Sequence, residues 1–180
     1  MNKHVLAGMM IIACAGMALA QSPTDRGVFN ISGGLSFSTT ATEDVDDNVN
    51  MFTFTPGLYV FVFRNLAVGG TFTYNNMMQG DFGYSTIGIG PGIRFFLNMG
   101  SARLFFSTGF SYTYGKYKGA TDGTTGTDIS LGAGFDFFLA KNVALEPFVR
   151  YHIMSSKYDD MDSRSQKQLE VGIGIGIFAY

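Results

Sequence analysis

The stretch LEVGIGIGIFAY sets Leu169, Val171, Ile173, Ile175 and Ile177 on one parity and Glu170, Gly172, Gly174 and Gly176 on the other. A period of two is a β-strand with two unlike faces. A soluble sheet would place Lys, Glu or Thr opposite the isoleucines, whereas glycine suits a crowded, enclosed space. The apolar face is therefore expected to look outward, into lipid.

The same pattern recurs eight times, over 27–39, 51–63, 66–75, 82–96, 102–114, 127–139, 143–153 and 166–180. In the first segment Phe29, Ile31, Leu35 and Phe37 alternate with Asn30, Ser32, Gly34 and Ser36. In the sixth, Ile129, Leu131, Ala133, Phe135 and Phe137 alternate with Asp128, Ser130, Gly132, Gly134 and Asp136. The connections alternate as well. Those at 64–65, 98–101 and 140–142 are tight, while 40–50, 76–81, 115–126 and 154–165 are longer and polar. Turns on one side and loops on the other mark the two sides of a membrane barrel. The expected fold is an all-β, eight-stranded antiparallel up-and-down transmembrane β-barrel.

Composition agrees. Charged residues make up 14% of the 180, against roughly 25% in soluble proteins. No stretch after residue 20 has the roughly 18 uninterrupted apolar residues of a spanning helix, so any passage through a membrane is made by strands. Arg94, Arg103, Asp128, Asp136, Glu146, Arg150 and Glu170 all fall on the glycine and hydroxyl parity, and only Lys167, near a loop edge, falls on the apolar one. An Arg or Lys facing lipid at mid-depth costs about 2–4 kcal/mol, so these charges are expected to point into the lumen and pair there. The soluble rival, a lipocalin-like or avidin-like barrel with an apolar cavity, would turn this small and sparsely charged face to water. Pro56, Pro91 and Pro147 lie within strands, where each removes a ladder hydrogen bond. Pro56-Gly57 and Pro91-Gly92 are expected to mark bulges or bends.

Lys3 and His4 precede an apolar run from Val5 to Leu19 that closes on Ala18-Leu19-Ala20, the layout of a secretory signal. We expect a signal peptide over 1–20 and the barrel domain over 21–180. The rival, lipidation at Cys14, is disfavoured because the run stays apolar for six residues past it. Cleavage removes the only cysteine, and with it disulfide and thiol chemistry. It also removes Lys3, taking the formal charge from −2 to −3, which does not suit nucleic acid.

If Leu139 faces Val143 across the 140–142 turn, Asp136 faces Glu146, and two facing carboxylates need a cation. Arg103 on the neighbouring strand is the expected donor, with Arg94 near the same end. The expected lumen network is Arg94, Arg103, Asp136, Glu146, Arg150 and Glu170. Eight strands leave an interior that side chains just fill, so this network reads as packing before it reads as a gate. His152 and Ser155 invite a lipid-modifying reading, but their spacing is unsuited to a nucleophile and base, and His152 shares the inward parity of Arg150. Acidic clusters stand in two loops: Glu43, Asp44, Asp46 and Asp47, then Asp159, Asp160 and Asp162. Neither has the spacing of a defined calcium loop, so weak cation contact is the most they suggest. Tyr74, Tyr84, Tyr112, Tyr114 and Tyr117 at one end, and Phe63, Phe95, Phe106, Phe137 and Phe178 at the other, read as aromatic girdles made without Trp.

The hairpin FTPGLYVFVFRNLAVGG, Phe54 to Gly70, echoed in part from Gly90 to Leu104, resembles the small outer-membrane β-barrels of the OmpX and OmpA transmembrane-domain type. The resemblance covers the whole mature chain. It implies the cell outer membrane as location, lipid and lipopolysaccharide as surroundings, a monomer and no cofactor. The terminal aromatics Phe178 and Tyr180 resemble the signal read by the barrel-insertion machinery. No peptidoglycan-binding domain is expected after Tyr180. The functions implied are structural or loop-mediated, as in adhesion or envelope integrity. A narrow channel or carrier for small solutes is the alternative, and a lipid A-modifying enzyme the remotest. Phe178 and Tyr180 fall on the glycine parity, so a bulge near Phe178 is expected to return the terminal aromatic to the lipid face.

Overall fold

The computed structural model describes residues 22–40, 49–100, 102–157 and 164–179. Eight strands close into one barrel: β1 (Phe29–Thr40), β2 (Val49–Phe63), β3 (Leu66–Gln79), β4 (Phe82–Met99), β5 (Ala102–Tyr117), β6 (Thr124–Ala140), β7 (Val143–Lys157) and β8 (Arg164–Ala179). Every neighbour pair is antiparallel, and β8 closes on β1 from Phe29↔Ala179 to Leu35↔Ile173.

The strands run further out than the hydrophobic pattern does. β3 and β4 pair to Gln79↔Phe82, and β5 and β6 pair to Gly115↔Thr124. The loops expected at 76–81 and 115–126 shrink accordingly. Backbone pairing propagates through polar residues such as Asn75↔Thr86 and Asn76↔Ser85, where alternation of apolar side chains has stopped. The short connections lie at the other end with the described ends of β1 and β8, and that end is the periplasmic one. The acidic loop residues Asp44, Asp46, Asp47, Asp159, Asp160 and Asp162, the signal region and Tyr180 lie outside the described residues.

Prolines do not shift the register. Pro56 pairs with Gly33, Pro91 with Gly70 and Pro147 with Ile173, while each drops out of the ladder on its other side. One missing N–H interrupts one rung, so the bulges expected at Pro56 and Pro91 do not form. The bulges occur at the periplasmic turns instead. Val62 is the extra residue between Phe61↔Ala67 and Phe63↔Leu66, and Leu139 the extra one between Phe138↔Ala144 and Ala140↔Val143. Leu139 is thus not opposite Val143, but Phe137↔Leu145 and Gly134↔Phe148 keep the phase that faces Asp136 with Glu146.

Large apolar side chains cover the outside. Leu35, Leu131, Ile173 and Ile175 are each more than half exposed, at 54%, 53%, 57% and 55%. This arrangement is the reverse of a cavity-lining soluble barrel. The glycine parity faces in, and its emptiness is filled by large side chains of nearby strands, those of β7 above all. A Cβ on Gly172 would lie 2.6 Å from the Phe148 ring, and one on Gly34 2.8 Å from the same ring. Gly176 leaves space for the Glu146 carboxylate.

Candidate functional site: two charged layers in the lumen

The periplasmic mouth is shut by aromatic rings on the inward parity. Phe61 and Phe96 lie 5.2 Å apart between centroids, Phe138 and Phe178 5.4 Å, and Phe96 and Phe178 6.3 Å. Residues 22–28 fold across this end. Val28 accepts a backbone bond from Phe61 and Thr24 accepts one from Asn65, and both Val28 and Thr24 are buried. Phe178 therefore belongs to the plug and not to the outer girdle. β8 passes through it in unbroken register with Asn30, so the bulge expected near Phe178 is absent. Phe63, Phe95, Phe106 and Phe137 do face outward.

Above the rings sits Arg94 on β4, 3% exposed. Its two terminal nitrogens donate to the two Glu146 carboxylate oxygens at 3.3 and 3.1 Å, and Nη1 also donates to Asn30 at 2.7 Å. Asp136 is 4.0 Å away. The guanidinium stacks over Phe105 at 4.0 Å and Phe96 at 5.1 Å, so its faces meet rings while its edge meets carboxylates. The facing carboxylates expected from the sequence are present, and the cation bonded to Glu146 is Arg94, with Arg103 within electrostatic reach of Asp136. Arg103 pairs with Asp136 in the ladder, yet its guanidinium stacks on Phe138 at 4.7 Å and reaches Ser22 at 3.5 Å. It lies at the plug's periplasmic rim.

A second charged layer lies toward the outside. Arg150 donates to Glu170 at 3.2 Å, and the two residues face each other in the β7–β8 ladder. His152 stands between two carboxylates, with Nδ1 2.8 Å from Asp128 and Nε2 3.1 Å from Glu170. Ser36 donates to Glu170 at 3.0 Å, tying β1 to β8 just beyond the last registered pair of their ladder. The sequence placed Arg150 and Glu170 in one network with Arg94; the structure divides them into two layers. Between the layers remains a cavity of about 50 Å³, lined by hydroxyls such as Thr55, Thr71, Ser107 and Ser130. That volume is room for a few waters.

The bridging position of His152 is not legible from its inward parity alone. The signal was its shared parity with Asp128 and Glu170, but the register that joins three strands was not. Ser155 sits on the opposite, exposed face of β7, away from His152. Both imidazole nitrogens already meet carboxylates, which leaves neither to serve a serine hydroxyl. Among the described residues no group of three His, Cys, Asp or Glu is arranged to hold a metal.

Residues 6–177 match the sequence profile described as "Outer membrane protein beta-barrel domain". No curated protein sequence matches the chain. Among solved structures, the barrel is similar to Neisserial surface protein A (TM-score 0.59, 13% identity, covering 85% of this chain and 96% of that one). It is also similar to the N-terminal β-barrel domain of Pseudomonas aeruginosa OprF (TM-score 0.53, 10% identity, 85% and 98%). The outer membrane protein OprG of Pseudomonas aeruginosa is a third (TM-score 0.52, 11% identity, 88% and 99%). At these identities the likeness is one of fold.

Proposed function

Because the chain belongs to the outer membrane protein beta-barrel domain family, we propose that it is a closed-lumen barrel of the cell outer membrane whose role is structural or carried by its outer loops. The observation that supports this is the Arg94–Glu146 layer seated on the Phe61, Phe96 and Phe178 rings. A solute would have to break a buried bidentate ion pair and displace three rings to pass. In planar bilayers the purified protein is expected to give no discrete conductance steps. Discrete steps that vanish on altering Arg103 would instead establish the narrow channel.

The chain is non-catalytic in this reading, since His152 is held by Asp128 and Glu170 and faces away from Ser155. Unchanged lipid A on overexpression is the corresponding expected result. Interaction then falls to the outer segments 41–48 and 158–163, which carry the acidic residues. Replacing both segments by short Gly-Ser turns is expected to keep the folded barrel's electrophoretic mobility shift on heating and to abolish adhesion or serum resistance. Retention of those phenotypes would move the role off the loops. We further propose that residues 1–20 are a cleaved signal peptide, that the barrel is monomeric, and that the strand bearing Phe178 and Tyr180 is read by the insertion machinery.

A further inference from the structure

The outward face of β3, β4 and β5 changes chemistry abruptly along its length. Its rungs, taken toward the outside, are Phe72↔Ile89↔Tyr112, then Tyr74↔Ile87↔Tyr114, then Asn76↔Ser85↔Lys116. One step further, Met78 pairs with Gly83, and the Lys118 backbone N–H donates to the Gly83 carbonyl at 2.8 Å. Apolar rungs thus give way to a tyrosine rung and then to two rungs that each end in a lysine.

These lysines flank an open groove of about 630 Å³, lined also by Asn76, Ser85 and Tyr117. The stem of Lys118 runs beside Gly83, its Cβ 3.4 Å from where a Cβ on that glycine would stand. No described carboxylate lies within ion-pair distance of either ammonium, and none lines the groove. The acids nearest in sequence, Asp81 and Asp122, stand in the connections outside it.

We propose that this groove is a binding site for the phosphate groups of the phosphorylated glycolipid in the outer leaflet. Two residues along a strand advance about 7 Å, so Lys116 stands one rung beyond the Tyr114 girdle, at the depth of lipid headgroups. Long flexible ammonium stems suit a phosphate that has no fixed orientation. Asn76 and Ser85 offer neutral donors beside it, and the tyrosine and isoleucine rungs below receive the acyl chains.

The test uses the purified full-length barrel in neutral detergent, titrated with phosphorylated lipid A and followed by its thermal unfolding midpoint. Each lysine near an anionic surface contributes about 1 kcal/mol, so Lys116→Ala with Lys118→Ala is expected to weaken binding about thirty-fold. Lys116→Arg with Lys118→Arg is expected to restore it, and Lys141→Ala, at the periplasmic turn, to leave it within two-fold. Dephosphorylated lipid A is expected to give no shift, and inorganic phosphate alone none at the same concentration. Equal binding by the double alanine variant, or equal shifts with dephosphorylated lipid A, would overturn the proposal, as would a full shift with inorganic phosphate.

Discussion

Arg94→Met is expected to destabilise the barrel by about 3–5 kcal/mol, read as a lower urea midpoint for unfolding from lipid vesicles. The side chain is replaced by one of similar length, so ring packing around Phe105 and Phe96 is largely retained. What is lost is the guanidinium bonded to Glu146, which is 4% exposed, and the cation 4.0 Å from Asp136, which is fully buried. Two buried carboxylates then face each other without it. Adding Glu146→Gln and Asp136→Asn to Arg94→Met is expected to recover most of the loss, because breaking a buried pair costs more than replacing both partners. An Arg94→Met barrel as stable as the parent would show that the aromatic rings alone close the lumen.

Leu131→Arg is expected to cost about 2–4 kcal/mol in the same assay. Leu131 lies near the middle of β6, faces outward and is 53% exposed. That exposure is to hydrocarbon, where a guanidinium must be dragged from water or snorkel along the barrel wall. Thr125→Arg, on the same parity and strand but near its outer end, is expected to cost about 1 kcal/mol or less, since the penalty falls with distance from the midplane. Equal effects at the two positions would contradict the assignment of the apolar face to lipid.

The fold was legible because a barrel needs only parity. Each strand's inward and outward sets follow from a period of two, and Leu35, Leu131 and Ile173 look outward as that period requires. The facing of Asp136 and Glu146 was legible too, since the connection between β6 and β7 is short, and the Leu139 bulge displaces the turn without moving the pair out of phase. The identity of their cation was not. Arg94 reaches Glu146 across the lumen, from β4 to β7, and strand-neighbour reasoning cannot see a contact that spans the interior. The Asp128–His152–Glu170 bridge joins neighbouring strands and was hidden for another reason, since the β7–β8 register that completes it depends on a long loop. Phe178 misled for a different reason. An aromatic at a barrel's end suits a lipid girdle, but eight strands meet at a mouth narrow enough that four inward phenylalanines fill it.

In the proposed barrel one face of each strand meets lipid and the other a closed, water-poor lumen. Single cysteines along β5, introduced into residues 21–180, which hold no cysteine of their own, and carrying a nitroxide label in lipid vesicles, distinguish the two faces. Labels at Phe106, Thr108, Phe110 and Tyr112, all exposed on the outer parity, are predicted to collide freely with dissolved oxygen. Labels at Phe105, Ser107 and Ser111, on the inner parity, are predicted to be shielded from oxygen and from a water-soluble relaxer alike. Free access of the water-soluble relaxer to Ser107 and Ser111 would mean an open pore, and its access to the outer set would mean a barrel surrounded by water.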